Sequence, residues 1–332
     1  MRLVMGKSSS FSVTTNKNWR KAKKPFITVM TPVYNRRETI QRTIDSVEKQ
    51  EFRNIEYIII DDGSMEPIDD IVKKYMESTR LPVMFIKKPN GGVHTARNIG
   101  YKQARGELVL CIDSDDELTP DACEIFYKTW MSIPKNERDE YWQIKAQCRD
   151  QNVKMTAKLF PDNINEMPKD KARKYFSMAG GEQIGCRVSE VMKKNLFPEP
   201  EGISFVAESA VWIPLERKYK SWGINNVVRI YHKESNDRLA GNWRKNDKQK
   251  IRNNLWSKAY VLNNAQKYGF SFRQYIKNII KYCVFSCLLM RKGDKEFVRK
   301  NKLKGSANNF WKIVFWLPAT LYVTIMIGDG KK

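Results

Sequence analysis

From Phe26 onward, short apolar runs alternate with amphipathic stretches at a regular spacing. Residues 26–30 form an apolar-rich run closed by the turn-prone Pro32 and Asn35, which reads as a strand. A helix is predicted over about residues 38–50, with Ile40, Ile44 and Val47 at core-facing spacing. Residues 55–60 are continuously apolar apart from Glu56, the mark of a strand covered on both faces, and stop at Asp61-Asp62-Gly63-Ser64. A helix over 68–76 and a strand over 82–86 follow, then the loop Asn90-Gly91-Gly92 and a helix over 94–104. A fourth strand, 108–112, ends in Asp113-Ser114-Asp115-Asp116. This alternation predicts an α/β domain with a mostly parallel sheet flanked by helices. Ligands of such sheets collect at the carboxyl ends of the strands, where every one of these polar clusters falls.

The pattern weakens between Pro134 and Pro200, where extra strands and loops are expected to complete an acceptor-binding side. Beyond about Lys233 the chain turns basic and helical, with apolar segments over 275–290 and 310–327. Residues 1–24 carry seven Lys or Arg and no acid but lack the apolar stretch of a signal peptide, so they read as a flexible basic arm. The predicted organisation is a basic arm over 1–24 and an α/β domain over 25–232, divided near residue 130 into two halves, 25–130 and 131–232. A basic helical region over 233–332 completes the chain.

Charge narrows the partners. Sixty Lys and Arg against 37 Asp and Glu leave a formal charge of +23, which suits nucleic acid, phosphorylated substrate or anionic lipid. With only His94 and His232, a histidine-rich metal site is excluded, and six scattered cysteines without paired CxxC motifs argue against a zinc cluster. They read as reduced thiols. Three carboxylates within Asp113 to Asp116 repel one another unless a cation or hydrogen bonds relieve them. Hard Mn²⁺ or Mg²⁺ prefers such oxygens and leaves positions for substrate phosphates. The competing assignment is an acidic turn capping the helix that begins near Thr119.

Four segments taken together, Thr31 to Asn35, Ile60 to Ser64, Thr95 to Gly100 and Ile112 to Asp116, resemble the nucleotide-binding half of the inverting family-two glycosyltransferases of GT-A fold. The resemblance covers residues 26 to about 130 and implies a catalytic domain over 25–232, with 25–130 as its nucleotide-sugar half and 131–232 as its acceptor half. It implies that Thr31, Pro32 and Tyr34 line a nucleoside pocket, that Asp62 accepts a hydrogen bond from the base, and that Arg97 lies near the base or diphosphate. It implies Asp113 beside the ribose, Asp115 as a metal ligand with Asp116 as the alternative, and a UDP-sugar as the donor. Inversion needs a general base for the acceptor hydroxyl; the matching position is Glu208, where Ser209 stands in place of the Asp common in the family. Glu208 as a helix cap is the other reading, and Glu199 and Glu201 are fallback bases. The segment Arg229 to His232 resembles one that closes over the donor, so Arg229 and His232 join the substrate-binding set.

The last two apolar segments carry Trp311, Trp316 and Tyr322 among flanking lysines and arginines. Such a composition predicts helices lying in the plane of an anionic membrane, at its cytoplasmic face, near a glycan or polyprenyl-linked acceptor. Helices packed on the catalytic core are the alternative. The expected activity is metal-dependent hexosyl transfer in polysaccharide or glycoconjugate synthesis. Two rivals are an inactive nucleotide-sugar-binding relative, suggested by Ser209, and a basic nucleic-acid-binding module. The second is disfavoured because acidic strand ends repel phosphate.

Overall fold

The structure, a computed structural model, describes residues 12–161, 165–232 and 247–328. The chain folds as two compact units, Met1–Phe197 with Leu215–Asp237, and Pro198–Pro214 with Arg238–Lys332.

The first unit is built on one mixed sheet. Its strands are β1 (Ser12–Thr15), β2 (Ile27–Val33), β3 (Ile55–Asp61), β4 (Val83–Lys87), β5 (Leu108–Cys111), β6 (Glu117–Leu118), β7 (Tyr141–Asp150), β8 (Glu166–Met167), β9 (Gln183–Val188) and β10 (Lys220–Tyr231). Among the described residues they run in the order β1-β4-β3-β2-β5-β9-β7-β10-β6, with β8 on β10. The expected parallel sheet is confined to β4-β3-β2-β5 and to the β7–β10 pair. The ladders of β1, β9, β6 and β8 are antiparallel, so the sheet is mixed rather than mostly parallel. Past β5 the antiparallel neighbours are distant in sequence: β9 returns to β5 and β7 only after the segment that carries β8 and α6, so no local spacing announces the pairing.

Residues β2 and β3 are buried along their whole lengths. Helices cover both faces: α1 (Lys17–Lys21), α2 (Ile40–Glu48), α3 (Asp69–Ser78), α4 (Val93–Gln103), α5 (Ala122–Ser132), α6 (Ala172–Ala179) and α7 (Ser189–Lys194). Ile40, Ile44 and Val47 of α2 pack with Ile27, Val29, Tyr57 and Ile59 of the sheet in one continuous core. The acid near the start of β3, Glu56, is wholly buried and accepts from Thr28 Oγ1 at 2.6 Å and from Arg105 Nε at 2.6 Å, so its charge is neutralised at the amino ends of the strands. This clamp lies away from the polar loops and leaves the carboxyl ends to chemistry.

Part of the expected basic arm is ordered. Asn16 caps α1 by accepting from Trp19 N at 3.1 Å, and it holds the start of β4 by accepting from Val83 N at 3.1 Å and donating to Leu81 O at 2.8 Å. Trp19 is then buried beneath Arg105, 3.9 Å above its ring. Residues 1–11 of that arm, and 233–246 at the start of the expected basic region, lie outside the described residues.

Helix α8 (Ser209–Lys218) spans the division between the units, which falls after Pro214. In the second unit, α9 (Lys248–Asn263), α10 (Phe272–Arg291), α11 (Lys295–Lys300) and α12 (Ser306–Gly328) surround a core that includes Ile251, Leu255, Ile279, Cys283, Leu288 and Val323. A capping box at Ser271 and Gln274 opens α10. Among the described residues no helix is long and apolar enough to cross a membrane.

Candidate active site

The site assembles where β2, β3 and β5 end. The order β4-β3-β2-β5 means the chain first winds outward from β2 and then returns to its other side, so the topological switch point, where sheets of this kind take their ligands, lies between β2 and β5. Three loops meet around it. After β2, Asn35 turns at φ +50°, its N–H donates to Ser64 Oγ at 3.0 Å, and its own Oδ1 accepts from Met65 N at 2.9 Å. After β3, Gly63 turns at φ +76°, where a Cβ would lie 2.6 Å from Asn90 N. These bonds zip the first loop to the second and seat the second on the Asn90 loop.

Asp62 is buried and held from three sides. Gly91 N and Gly92 N donate to it at 3.0 and 2.8 Å, and Lys88 forms an ion pair with it. Gly92 is the N-cap of α4, so the carboxylate sits at the positive end of that helix. A carboxylate has about four acceptor positions, and the protein itself fills most of these.

The acidic loop after β5 is gripped twice. Its carbonyls are tied to α2: Thr39 Oγ1 donates to Ser114 O at 2.9 Å, Arg42 to Asp115 O at 2.5 Å, and Thr43 Oγ1 to Asp116 O at 2.8 Å. Its carboxylates each meet a guanidinium. Arg97 of α4 reaches Asp113 at 3.2 Å, Arg36 reaches Asp115 at 3.6 Å, and Arg229 Nε donates to Asp116 at 2.7 Å while its Nη2 lies 3.4 Å from Asp113. The β6–β10 ladder sets Arg229 opposite Leu118 and Ile230 opposite Glu117, which brings β10 onto the loop. There His232 N donates to Asp116 at 2.9 Å and the His232 ring bonds Glu117 at 2.8 Å.

Burial separates the three acids. Asp116 has no exposed surface, whereas the side chains of Asp113 and Asp115 are 40% and 23% exposed. Burial pushes the Asp116 carboxyl up to about 7 against the opposing pull of Arg229. For Arg229, burial works against the charge, but Asp113 and Asp116 outweigh it and hold the guanidinium protonated. Among the described residues no three His, Cys, Asp or Glu side chains converge as a ready metal cluster. The outward pair Asp113 and Asp115 nevertheless fits a hard divalent cation, which takes one or two carboxylates and completes its shell with water and phosphate. Asp116 does not fit: its oxygens are enclosed and engaged by Arg229 and His232 N.

Of the residues singled out in the sequence, Asp113, Asp116, Arg97, Arg229 and His232 therefore form one network, and Asp115 lies beside it on the same loop, paired with Arg36. Tyr34, 44% exposed, stands just beyond β2. Thr31 has no exposed surface, its hydroxyl accepting from Tyr57 at 2.9 Å, and Pro32 is likewise buried in β2, so neither side chain faces an open pocket here. Glu208 belongs to the helical unit, at the start of α8. Its carbonyl accepts from Trp212 N and its carboxylate from Trp212 Nε1, each at 2.9 Å. Sequence reasoning passed over Arg36, Lys88, Thr39, Arg42 and Thr43. The Thr39, Arg42, Thr43 spacing of three and four was a usable signal, since it lines one helix face.

A sheet of this order, with charged loops gathered at its switch point, defines an α/β domain of the kind that takes its ligands at the carboxyl ends of the strands. Residues 28–156 match the family described as Glycosyl transferase family 2. Over these residues the chain carries a glycosyltransferase family 2 domain. It is 26% identical over 272 residues to TuaG of Bacillus subtilis, named for teichuronic acid biosynthesis, covering 80% of this chain and 98% of that one. It is 25% identical over 210 residues to the GalNAc(5)-diNAcBac-PP-undecaprenol beta-1,3-glucosyltransferase of Campylobacter jejuni, covering 62% of this chain and 64% of that one. Two other bacterial relatives, 35% and 38% identical, are matched over only 14% and 30% of their own lengths. The fold resembles that of S. aureus TarS, solved in complex with UDP-GlcNAc, with a TM-score of 0.51, 16% identity, and coverage of 83% of this chain and 90% of that one.

Proposed function

We propose that this chain transfers a hexosyl group, with inversion, from a nucleotide-diphosphate sugar to a hydroxyl of a glycan or lipid-linked acceptor in surface polysaccharide or glycoconjugate synthesis. The observation that carries the reading is the acidic loop at the end of β5. Two of its carboxylates face outward and are surrounded by Arg36, Arg97 and Arg229, a mixture suited to a cation and a diphosphate together. UDP is the favoured carrier, in line with the UDP-GlcNAc of the TarS complex.

In this mechanism Tyr34 borders the nucleoside, and Asp62, locked by Lys88 and the α4 amides, sets the loop that receives the base. Asp113 takes the ribose side. Asp115, with Asp113, would hold Mn²⁺ or Mg²⁺, which when bound neutralises the leaving diphosphate. Arg97 meets the diphosphate, while Arg229 keeps Asp116 and Asp113 in place, and His232 fixes the end of β10. Glu208 takes the proton from the attacking hydroxyl. Its bond from Trp212 orients the carboxylate.

The composition of the second unit supports the reading of partner and place. Over residues 247–328 it carries 16 Lys or Arg against the acids Asp247, Asp294 and Glu296. Lys258 is pushed down by burial and by its neighbours Lys281 and Lys277, a crowding of positive charge that an anionic surface relieves. On α12, Phe310, Ile313, Val314, Leu317 and Leu321 are exposed at helical spacing. An apolar stripe beside basic residues suits in-plane contact with the cytoplasmic face of a membrane. The undecaprenol-linked substrate in the name of the Campylobacter relative supports a lipid-linked acceptor.

Glu208→Gln provides the test. Transfer should fall by about 10²–10⁴-fold, while the rise in melting temperature caused by UDP with Mn²⁺ stays as in the parent protein. Unchanged transfer would remove Glu208 from the mechanism. Loss of the UDP response in the parent protein itself would remove the donor-site reading.

A further inference from the structure

Resting on the proposed donor site, we infer that Arg36 is a positioning residue that neutralises Asp115 when the site is empty and passes to the donor diphosphate when cation and nucleotide bind. The two ligands would thereby be coupled through one side chain. The three acid–guanidinium pairs of the loop are graded. Arg229 is 8% exposed and bonded at 2.7 Å to an Asp116 that is itself enclosed. Arg97 is 12% exposed and 3.2 Å from Asp113. Arg36 is 22% exposed, with its Nε 3.6 Å from Asp115.

A pair that is looser and wetter yields first when a divalent cation competes for the carboxylate. Asp115 can give up this contact without loosening the loop, because its carbonyl is separately held by Arg42. Arg36 also stays in place as it turns away. Its Nη1 donates to Asn35 O at 3.1 Å, and Asn35 is pinned by Ser64 at 3.0 Å. The released guanidinium remains beside the switch point, where a diphosphate offers the forked geometry it prefers.

Linkage then dictates the pattern. In the parent protein the cation must displace Arg36 before binding, and the nucleotide recovers that interaction afterwards. Arg36→Gln removes both effects. Mn²⁺ alone should bind about tenfold more tightly, UDP at saturating Mn²⁺ about tenfold more weakly, and Mn²⁺ in the presence of UDP with unchanged affinity. Arg36→Lys, which keeps the charge, should restore most of the coupling. Arg53→Gln, which removes a surface charge paired with Glu48, should behave as the parent protein.

The experiment titrates Mn²⁺ by the electron paramagnetic resonance of the free ion, with and without UDP, and follows UDP by calorimetry. Unchanged or weaker Mn²⁺ binding by Arg36→Gln without nucleotide would overturn the inference while leaving the donor site intact. An Arg53→Gln shift equal to that of Arg36→Gln would overturn it as a bulk charge effect. Absence of Mn²⁺ uptake by the parent protein even with UDP would overturn both the metal assignment and the inference.

Discussion

Asp116→Ala is expected to destabilise the protein by about 3–5 kcal/mol, because it strands a buried guanidinium. Arg229 is 8% exposed, and Asp116 is its close partner; the other acid paired with it among the described residues, Asp113 at 3.4 Å, is partly in solvent. The substitution also takes the acceptor away from His232 N. In a unit of this size such a loss lowers the melting temperature by about 6–20 °C. Asp116→Asn combined with Arg229→Met keeps an oxygen for His232 N and removes the stranded charge, so the double variant should melt well above Asp116→Ala. Thermal denaturation followed by circular dichroism measures both. If Asp116→Ala melts like the parent protein, Asp116 does not hold the loop together.

Asp115→Asn should do the opposite, leaving the fold and removing the chemistry. Its side chain is 23% exposed and its charge partner Arg36 is 22% exposed, so stability should change by less than about 1 kcal/mol. Turnover should fall by about 10²–10³-fold, the usual cost of losing one charge-stabilising group at a reacting centre. The response of the melting temperature to UDP with Mn²⁺ should disappear in the same variant. A variant with full turnover would show that Asp115 carries no part of the donor site. The two neighbouring acids thus divide the work: Asp116 is a strut and Asp115 meets the substrate.

That division was not legible in the sequence, where Asp113, Asp115 and Asp116 read as equals. What separates them is the arrival of Arg229, 116 residues away from Asp113, on a strand whose register is set by β6. Local pattern carries no such long-range pairing. The acidic loop itself was legible, because carboxylates adjacent in sequence must lie together in space. Strands β2 to β5 and helices α2 to α4 were legible for a related reason. Continuous apolar runs such as Ile58-Ile59-Ile60, bounded by Gly and Asp, admit few other structures.

β1 was missed since Ser12–Thr15 has no apolar face and is ordered by pairing with the edge of β4. The antiparallel half of the sheet was blurred by Gln143 and Gln147, buried polar residues of β7 that break its alternation. They are tolerated because Ser221 and Asn225 of β10 bond to them. The strand ends also explain Thr31 and Pro32. β2 runs on to Val33, so residues expected at a pocket wall are inside the strand.

The most direct test of the account is nucleoside diphosphate release by the purified protein from a panel of UDP-, GDP- and dTDP-sugars, with Mn²⁺, with Mg²⁺ and with chelator, in the presence of polyprenyl-linked acceptors. The account predicts release from a UDP-sugar that requires the metal and stops with chelator. Release that is indifferent to chelator, or no release together with no metal-dependent nucleotide binding, would contradict it.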